Sequence, residues 1–373
     1  MSKKVLIIGG GPAGCIAAHF LANKGFKDIT VVEKTNRLGG TCLTYYYGRH
    51  PYNFGPRHFL TKHPHVWNYM YKYCPLKRYP GHKFLTYIEQ DAQFYNFPIC
   101  EDEIDLMPDK DKIREELKYV GNAESAQNFE EYWIRSVGET LYNKFIKNYS
   151  HKMWKSYNNK LITDFGYSPK GVALKKSGEL KAGWSEAFTG FPLAKDGYDH
   201  YFTLATQNAK VYLNTTIEEY NILHKQVRIN GVWSTWDMII NTISPEYLFD
   251  QCYGALRWVG RDFFPIPLPV KEALPEDVFF VYYAGNEPFT RLVEYCKFFE
   301  WDKESPTTLL GLEIPSMNNK LYPYPFKHDQ ELAQKYLDLY PQDVYSLGRN
   351  AEYRYLDMGA IIYNAFKLME KIM

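Results

Sequence analysis

The sequence lacks any run approaching the roughly 18 consecutive apolar residues that a membrane-spanning helix needs, so no membrane span is expected. Its first apolar stretch, Val5–Ile8, is broken at once by glycines. That makes it a short strand rather than the core of a signal peptide, and a cytoplasmic location is the expectation. A charge of one sign is also missing: 44 Lys and Arg stand against 43 Asp and Glu, a formal net charge of +1. This removes any global pull toward nucleic acid or an anionic membrane, so bound phosphate must be held by a few local cations. Cysteines are sparse: Cys15, Cys42, Cys74, Cys100, Cys252 and Cys296 are scattered without C-x-x-C spacing, which reads as free thiols. There is no G-x-S-x-G, since Gly183-Trp184-Ser185 is not followed by the required glycine, and no Cys/His nucleophile pattern. The cluster His58, His63 and His65 is irregular and has no accompanying carboxylate spacing, so no metal is expected. Internal repeats and low-complexity tracts are absent as well.

What is abundant is aromatic. Tyr, Phe and Trp number 33, 23 and 8, and an excess of Tyr over Phe suits a wet pocket that handles rings and hydroxyls, such as a nucleotide-sugar cleft. Hydrophobic residues at 45% and charged residues at 23% are ordinary for a soluble globular chain. At 373 residues the chain exceeds one compact core, so two or three domains are expected.

The strongest local signal opens the chain. Lys3–Ile8 reads as a buried strand, followed by Gly9-Gly10-Gly11-Pro12-Ala13-Gly14 and a helical pattern with Ala13, Ile16, Ala17, Phe20 and Leu21 on one face. Gly9 allows a tight turn, Gly11 lets the backbone approach a pyrophosphate, and Gly14 lets the helix pack on the strand. The pyrophosphate would sit at the helix N-terminus, on free N–H groups and the positive dipole end. A second strand, Asp28–Glu33, ends in a carboxylate placed for both ribose hydroxyls, which argues against a phosphorylated ribose. Lys34 then leads to Arg37-Leu38-Gly39-Gly40-Thr41. This extension resembles the one after the ribose-binding Glu in flavoprotein oxidases and mutases of the glutathione-reductase-like class. FAD is therefore the expected cofactor, with Gly9, Gly11, Pro12, Ala13, Gly14, Glu33, Lys34, Leu38, Gly40 and Thr41 around it.

Further along, Tyr45–Tyr79 lacks clean periodicity and is expected to wrap the flavin. Lys83–Pro98 alternates like strands. Asn128–Phe145 places Phe129, Trp133, Val137, Leu141 and Phe145 at helical spacing, which predicts one amphipathic helix. Strand signals return at Val211–Leu213, Val227–Ile229, Met238–Ile243, Val278–Tyr283 and Leu309–Ile314, the later ones suggesting an antiparallel sheet, and a helix Gly359–Ile372 closes the chain. The fold class is α/β: a Rossmann-like FAD-binding domain with an inserted helical domain and an antiparallel β-sheet domain. The expected bounds are 1–70, 193–250 and 330–373 for a discontinuous FAD domain, 100–165 for the helical substrate domain, and 71–99, 166–192 and 251–329 for the sheet domain.

Several separated segments resemble one family, the UDP-galactopyranose mutases. The most specific is Gly348-Arg349-Asn350-Ala351-Glu352-Tyr353-Arg354-Tyr355-Leu356-Asp357-Met358. Also similar are Asn286–Glu294, Tyr322-Pro323, Val137–Tyr142 leading to Ile146–Ser150 and Trp154, and Gly55–Thr61 followed by Val66-Trp67. Their order and spacing hold over nearly the whole chain. The resemblance implies that reduced FAD is the nucleophile: its N5 attacks the anomeric carbon of a UDP-hexose and expels the nucleoside diphosphate, and the sugar opens and recloses through a different hydroxyl. Pyranose and furanose forms, of the UDP-galactopyranose and UDP-galactofuranose type, interconvert with no net redox.

By the same resemblance, Tyr149 and Trp154 flank the nucleotide base, Asn96 is a substrate-side asparagine, and Arg291 holds the pyrophosphate with Tyr322 and Tyr355. Arg291, Tyr322 and Tyr355 are thus the catalytic candidates. Arg57, His58, Gly348, Arg349, Tyr355, Asp357 and Met358 belong to the flavin side. The chain departs from the family where a second phosphate-binding arginine falls on Ser168, leaving Lys170 as the nearby cation. It departs again where flavin-side histidines become Arg57 and Leu60, and where a further arginine falls on Val259 between Arg257 and Arg261. An external reductant, NAD(P)H or a reductase, and a homodimer are expected. The alternatives are an FAD-dependent oxidoreductase of the amine-oxidase or protoporphyrinogen-oxidase type, and a flavin-binding protein that has lost catalysis.

Overall fold

Lys4–Ile8 is driven to a strand by four consecutive aliphatic residues, and Val5, Leu6 and Ile7 have no exposed surface, as burial on both faces requires. A computed structural model, which describes residues 3–79, 83–163, 174 and 188–372, places it at the centre of a five-stranded parallel sheet. The strand order is Lys210–Tyr212, Asp28–Val32, Lys4–Ile8, Met238–Asn241, Val344–Ser346. The helix Pro12–Asn23 follows the first strand, with Pro12 at its start, where the missing N–H costs nothing. It packs against Asp199–Thr206 and against the last helix, Met358–Ile372. This Rossmann-like unit is therefore assembled from both ends of the sequence and a middle segment.

A seven-stranded sheet stands beside it, in the order Tyr322–Pro323, Trp258–Leu268, Thr308–Ser316, Arg291–Glu294, Val278–Tyr283, Lys83–Ile88, Gln93–Phe97. Its pairs are antiparallel except one: Val278–Tyr283 runs parallel to Lys83–Ile88. The expected antiparallel sheet is thus mixed, because an early hairpin docks on strands that come much later in the chain. Phe188–Pro192 pairs instead with Phe59–Thr61 and Leu76–Arg78 in a small antiparallel sheet.

The single helix expected over Asn128–Phe145 is broken. Phe129–Val137 starts at Asn128, whose side chain accepts from the Glu131 N–H at 3.0 Å, and ends at Gly138, where φ is 86°. A short helix Glu139–Tyr142, a π turn Asn143–Lys147 and the helix Asn148–Trp154 follow. Phe129, Trp133, Val137, Leu141 and Phe145 are all buried nonetheless. Spacing reports which side meets the core, and a break that keeps that side inward leaves the spacing intact. Among the described residues no helix is long and apolar enough to cross a membrane.

Candidate active site

The glycine turn has room in one place and none in another. A Cβ at Gly14 would stand 1.9 Å from the Gly9 carbonyl oxygen, whereas one at Gly11 would meet nothing within 4 Å. Gly11 precedes the helix without a side chain to occupy its first N–H groups, which leaves them for an anion. The Glu33 carboxylate sits at the edge of the turn, accepting from the Gly10 N–H at 2.7 Å and from the Thr35 N–H and hydroxyl at 2.8 Å each. Lys34 is exposed. Leu38 and Gly40 close on the turn: a Cβ at Gly10 would lie 2.7 Å from Leu38 Cδ2, and one at Gly40 3.2 Å from Gly11 Cα.

Other segments converge there. The Thr41 carbonyl accepts from Arg57 Nε at 3.2 Å, and Arg57 Nη2 is buried without a hydrogen-bond partner. His58 stacks on Phe298, with ring centroids 6.4 Å apart. Gly348 comes down on the helix start, where a Cβ would be 2.5 Å from the Ala13 methyl. Asp357 accepts from the Ala360 N–H at 2.8 Å at the start of the last helix, which Met358 opens. His63 and His65 pack on that helix instead, against Tyr363 and Phe366.

Beside the turn lies a cleft of ≈ 800 Å³, part of it open to solvent, and Tyr149, Trp154, Arg291, Tyr322 and Tyr355 all line it. Strand register builds one wall: Thr86, Tyr282, Arg291 and Glu313 are successive cross-strand partners. Arg291 donates from Nε and Nη2 to the two oxygens of Glu313, at 3.0 and 2.6 Å. Burial acts against the Arg291 charge, but Glu313 and the Tyr282 and Tyr149 phenols outweigh it and hold its pKa well above the usual value. The opposite wall is the helix Asn148–Trp154, which presents Tyr149, Ser150, Met153 and Trp154. Tyr149 meets Tyr282 edge-on at 5.2 Å, and burial, reinforced by Tyr282, pushes the Tyr149 phenol up.

Tyr322 and Tyr355 stack at 5.3 Å with an interplanar angle of 8°, and Arg349 lies 4.9 and 4.7 Å from their centroids. Arg349 is fixed by donating to the carbonyls of Leu356 at 2.9 Å and Leu321 at 3.2 Å. Burial alone would raise the Tyr322 phenol. The charges of Arg57, Arg261, Arg349 and Arg291 overcome it and bring the pKa down to about 8. Tyr322, Tyr355 and Arg349 thus form the seam between the dinucleotide turn and the cleft.

Two expected residues are not in that assembly. Asn96 donates its side-chain amide to Glu103 at 2.6 Å and is not among the cleft-lining residues. Lys170 lies outside the described residues, as does Ser168. Sequence reasoning missed Glu313, which only strand pairing sets opposite Arg291, and it left Arg261 unplaced. Arg261 is 6% exposed and lines the cleft, whereas Arg257 pairs outside it with Asp329 at 2.6 Å. A strand signal through Trp258–Leu268 would have included Arg261 and left Arg257 just before it, without saying which reaches the cleft.

The profile of the UDP-galactopyranose mutase family matches residues 144–355, more than half of the chain, and that of an NAD(P)-binding Rossmann-like domain matches residues 7–73. The chain is 24% identical to a dTDP-fucopyranose mutase of Escherichia coli, over 98% of this chain and 97% of that one. It is 21% identical to a UDP-galactopyranose mutase of Mycoplasma genitalium, over 100% and 95% respectively. The crystal structure of a reduced UDP-galactopyranose mutase superposes with a TM-score of 0.81 at 16% identity, covering all of this chain and 95% of the other.

Proposed function

The chain belongs to the UDP-galactopyranose mutase family, and we propose that it is an FAD-dependent isomerase that interconverts the pyranose and furanose forms of a nucleotide-linked hexose, of the UDP-galactose type. The observation that carries this reading is the seam: Tyr322, Tyr355 and Arg349 join a dinucleotide turn to a deep aromatic cleft holding further guanidinium groups. The turn fits FAD, because Gly11 leaves open the approach a pyrophosphate needs and Glu33 stands at the ribose position. Gly9, Gly11, Pro12, Ala13 and Gly14 would hold the pyrophosphate. Arg57, His58, Arg349, Tyr355, Asp357 and Met358 would surround the ring system. When bound and reduced, FAD supplies a nucleophile at N5 and needs no protein nucleophile.

The chain's own residues then have binding and electrostatic work. Tyr149 and Trp154 offer aromatic faces to the base. Arg291, Tyr322 and Tyr355 meet the diphosphate, holding its charge while it is detached from the sugar. Buried lining residues such as Phe97, Phe145, Trp154 and Tyr322 limit the access of water, which would otherwise hydrolyse an activated sugar. NAD(P)H or a reductase sets the reduced state.

The test is to incubate the dithionite-reduced protein with UDP-galactopyranose and UDP-galactofuranose and separate the products by chromatography. Interconversion is expected only with reduced flavin and without stoichiometric consumption of reductant. Equal rates with fully oxidised protein, or turnover of oxygen or dye with the sugar, would sink the reading in favour of an ordinary oxidoreductase.

A further inference from the structure

Two guanidinium groups that line the cleft, those of Arg291 and Arg261, lie on either side of one carboxylate, that of Glu313. Arg291 takes both oxygens of Glu313 at 3.0 and 2.6 Å. Arg261, on the neighbouring strand Trp258–Leu268, comes no closer than 3.8 Å to the same carboxylate, beyond the 2.7–2.9 Å of a charge-assisted hydrogen bond. Its Nη1 donates to the Gly260 carbonyl at 3.0 Å, its Nη2 touches the Met153 sulfur, and its Nε has no hydrogen-bond partner. Arg261 is 6% exposed, and its side chain lies against the Tyr322 ring, 5.0 Å from the centroid.

A guanidinium buried to that degree with an unused N–H carries an uncompensated desolvation cost. No described carboxylate besides Glu313 is within salt-bridge range of it. An anion entering the cleft removes the imbalance. We infer that Arg261 is a second diphosphate-binding residue of this chain, placed on a fixed strand and acting with Arg291 from the far side of Glu313. The inference rests on the nucleotide-sugar reading and sharpens it: Arg291 arrives largely neutralised by Glu313, so the net positive charge offered to the phosphates comes from Arg261. Periodicity could not show this, because it does not separate Arg257, which lies before the strand, half exposed and paired with Asp329, from Arg261, which is buried in it.

The experiment compares UDP with uridine, which has the same base and ribose but no phosphate. Both are titrated calorimetrically into the FAD-loaded oxidised protein. Arg261→Met should weaken UDP by about 10-fold or more while changing uridine by less than about threefold, the loss expected for a charge-assisted bond confined to the phosphates. Arg261→Lys should recover part of the UDP affinity, and Arg257→Met should match wild type with both ligands. If Arg261→Met does not fold, the Lys variant carries the test through the same ratio of UDP to uridine affinity. UDP affinity unchanged in the variant, or UDP and uridine weakened alike, overturns the inference and leaves Arg261 a packing residue. If the wild-type protein binds no UDP at all, the nucleotide-sugar reading falls and this inference with it. That outcome is distinct from normal UDP binding that Arg261 does not affect.

Discussion

Tyr322 shows how far a residue's chemistry depends on neighbours that a linear reading cannot supply. Its identity and place were legible, because Tyr322-Pro323 matched a family segment. Arg57, Arg291 and Arg349 were likewise marked as site residues, but their convergence with Arg261 on one phenol, from four separated segments, was not legible. Their charges bring the phenol from an ordinary 10 to about 8 against the opposing effect of burial. A depressed pKa means that the folded protein holds fewer protons than the unfolded chain between those two values. The stabilisation is therefore complete above pH 10 and is lost as pH falls through 8. Ligand linkage follows from the same charge. A phenolate repels a diphosphate, so UDP affinity should decline as pH rises past 8, by up to about tenfold per unit. Tyr322→Phe should flatten that decline. Ultraviolet difference titration of the nucleotide-free protein should show one tyrosine ionising below the ordinary range, absent in the Phe variant and shifted upward by UDP. A UDP affinity that is flat across this window in the wild type would mean that the phenol does not face the phosphates.

At the scale of elements, apolar spacing gave the buried side of the helical region but not its joints. Gly138 ends one helix, and the π turn Asn143–Lys147 resets the phase before Asn148–Trp154. Neither event changes which residues are apolar, so neither leaves a mark in the pattern. The π turn and the helix Asn148–Trp154 are each anchored by a lysine. Lys144 lies 2.7 Å from Asp109 and also contacts Asp91. Lys152 donates to the Tyr283 carbonyl at 2.9 Å, the Phe289 carbonyl at 3.0 Å and Glu287 at 3.2 Å. Lys152 thereby ties the helix carrying Tyr149 and Trp154 to the loop that leads into Arg291. Lys152→Met would remove the donor from two carbonyls and leave Glu287 only the Gly285 N–H at 3.1 Å, at a cost of about 1–3 kcal/mol. Because the whole helix is loosened, UDP and uridine should weaken together, with a melting temperature several degrees lower. A selective loss of UDP alone would show instead that Lys152 acts on the phosphates directly.

For the whole molecule, the sequence led to the expectation of a discontinuous dinucleotide domain, since a cofactor strand opens the chain and an apolar helix closes it. What it could not foretell is how the pieces interlock. The sheet strand Val344–Ser346 and the helix Met358–Ile372 follow the cleft strands in the chain yet complete the fold begun by Lys4–Ile8 and Pro12–Asn23. The cleft strands are thus tethered at both ends to the unit that holds the cofactor. Pulling out either part exposes the buried faces of the other, and unfolding should be a single event. FAD at about 100 times its dissociation constant adds about 2.7 kcal/mol of stability, a rise on the order of 5 °C. That rise should appear equally in far-ultraviolet circular dichroism, which reports all helices, and in tryptophan fluorescence, to which the buried Trp133, Trp154 and Trp258 beyond the dinucleotide sheet contribute beside Trp236 packed on it. Gly11→Val supplies the control. Its Cβ would meet no protein atom within 4 Å, so the variant should melt close to the cofactor-free wild type, yet gain nothing from added FAD because its side chain fills the approach of the pyrophosphate. A fluorescence transition that stays in place while the dichroism transition moves would mean that the helical part and the cleft unfold on their own, as domains independent of the cofactor unit.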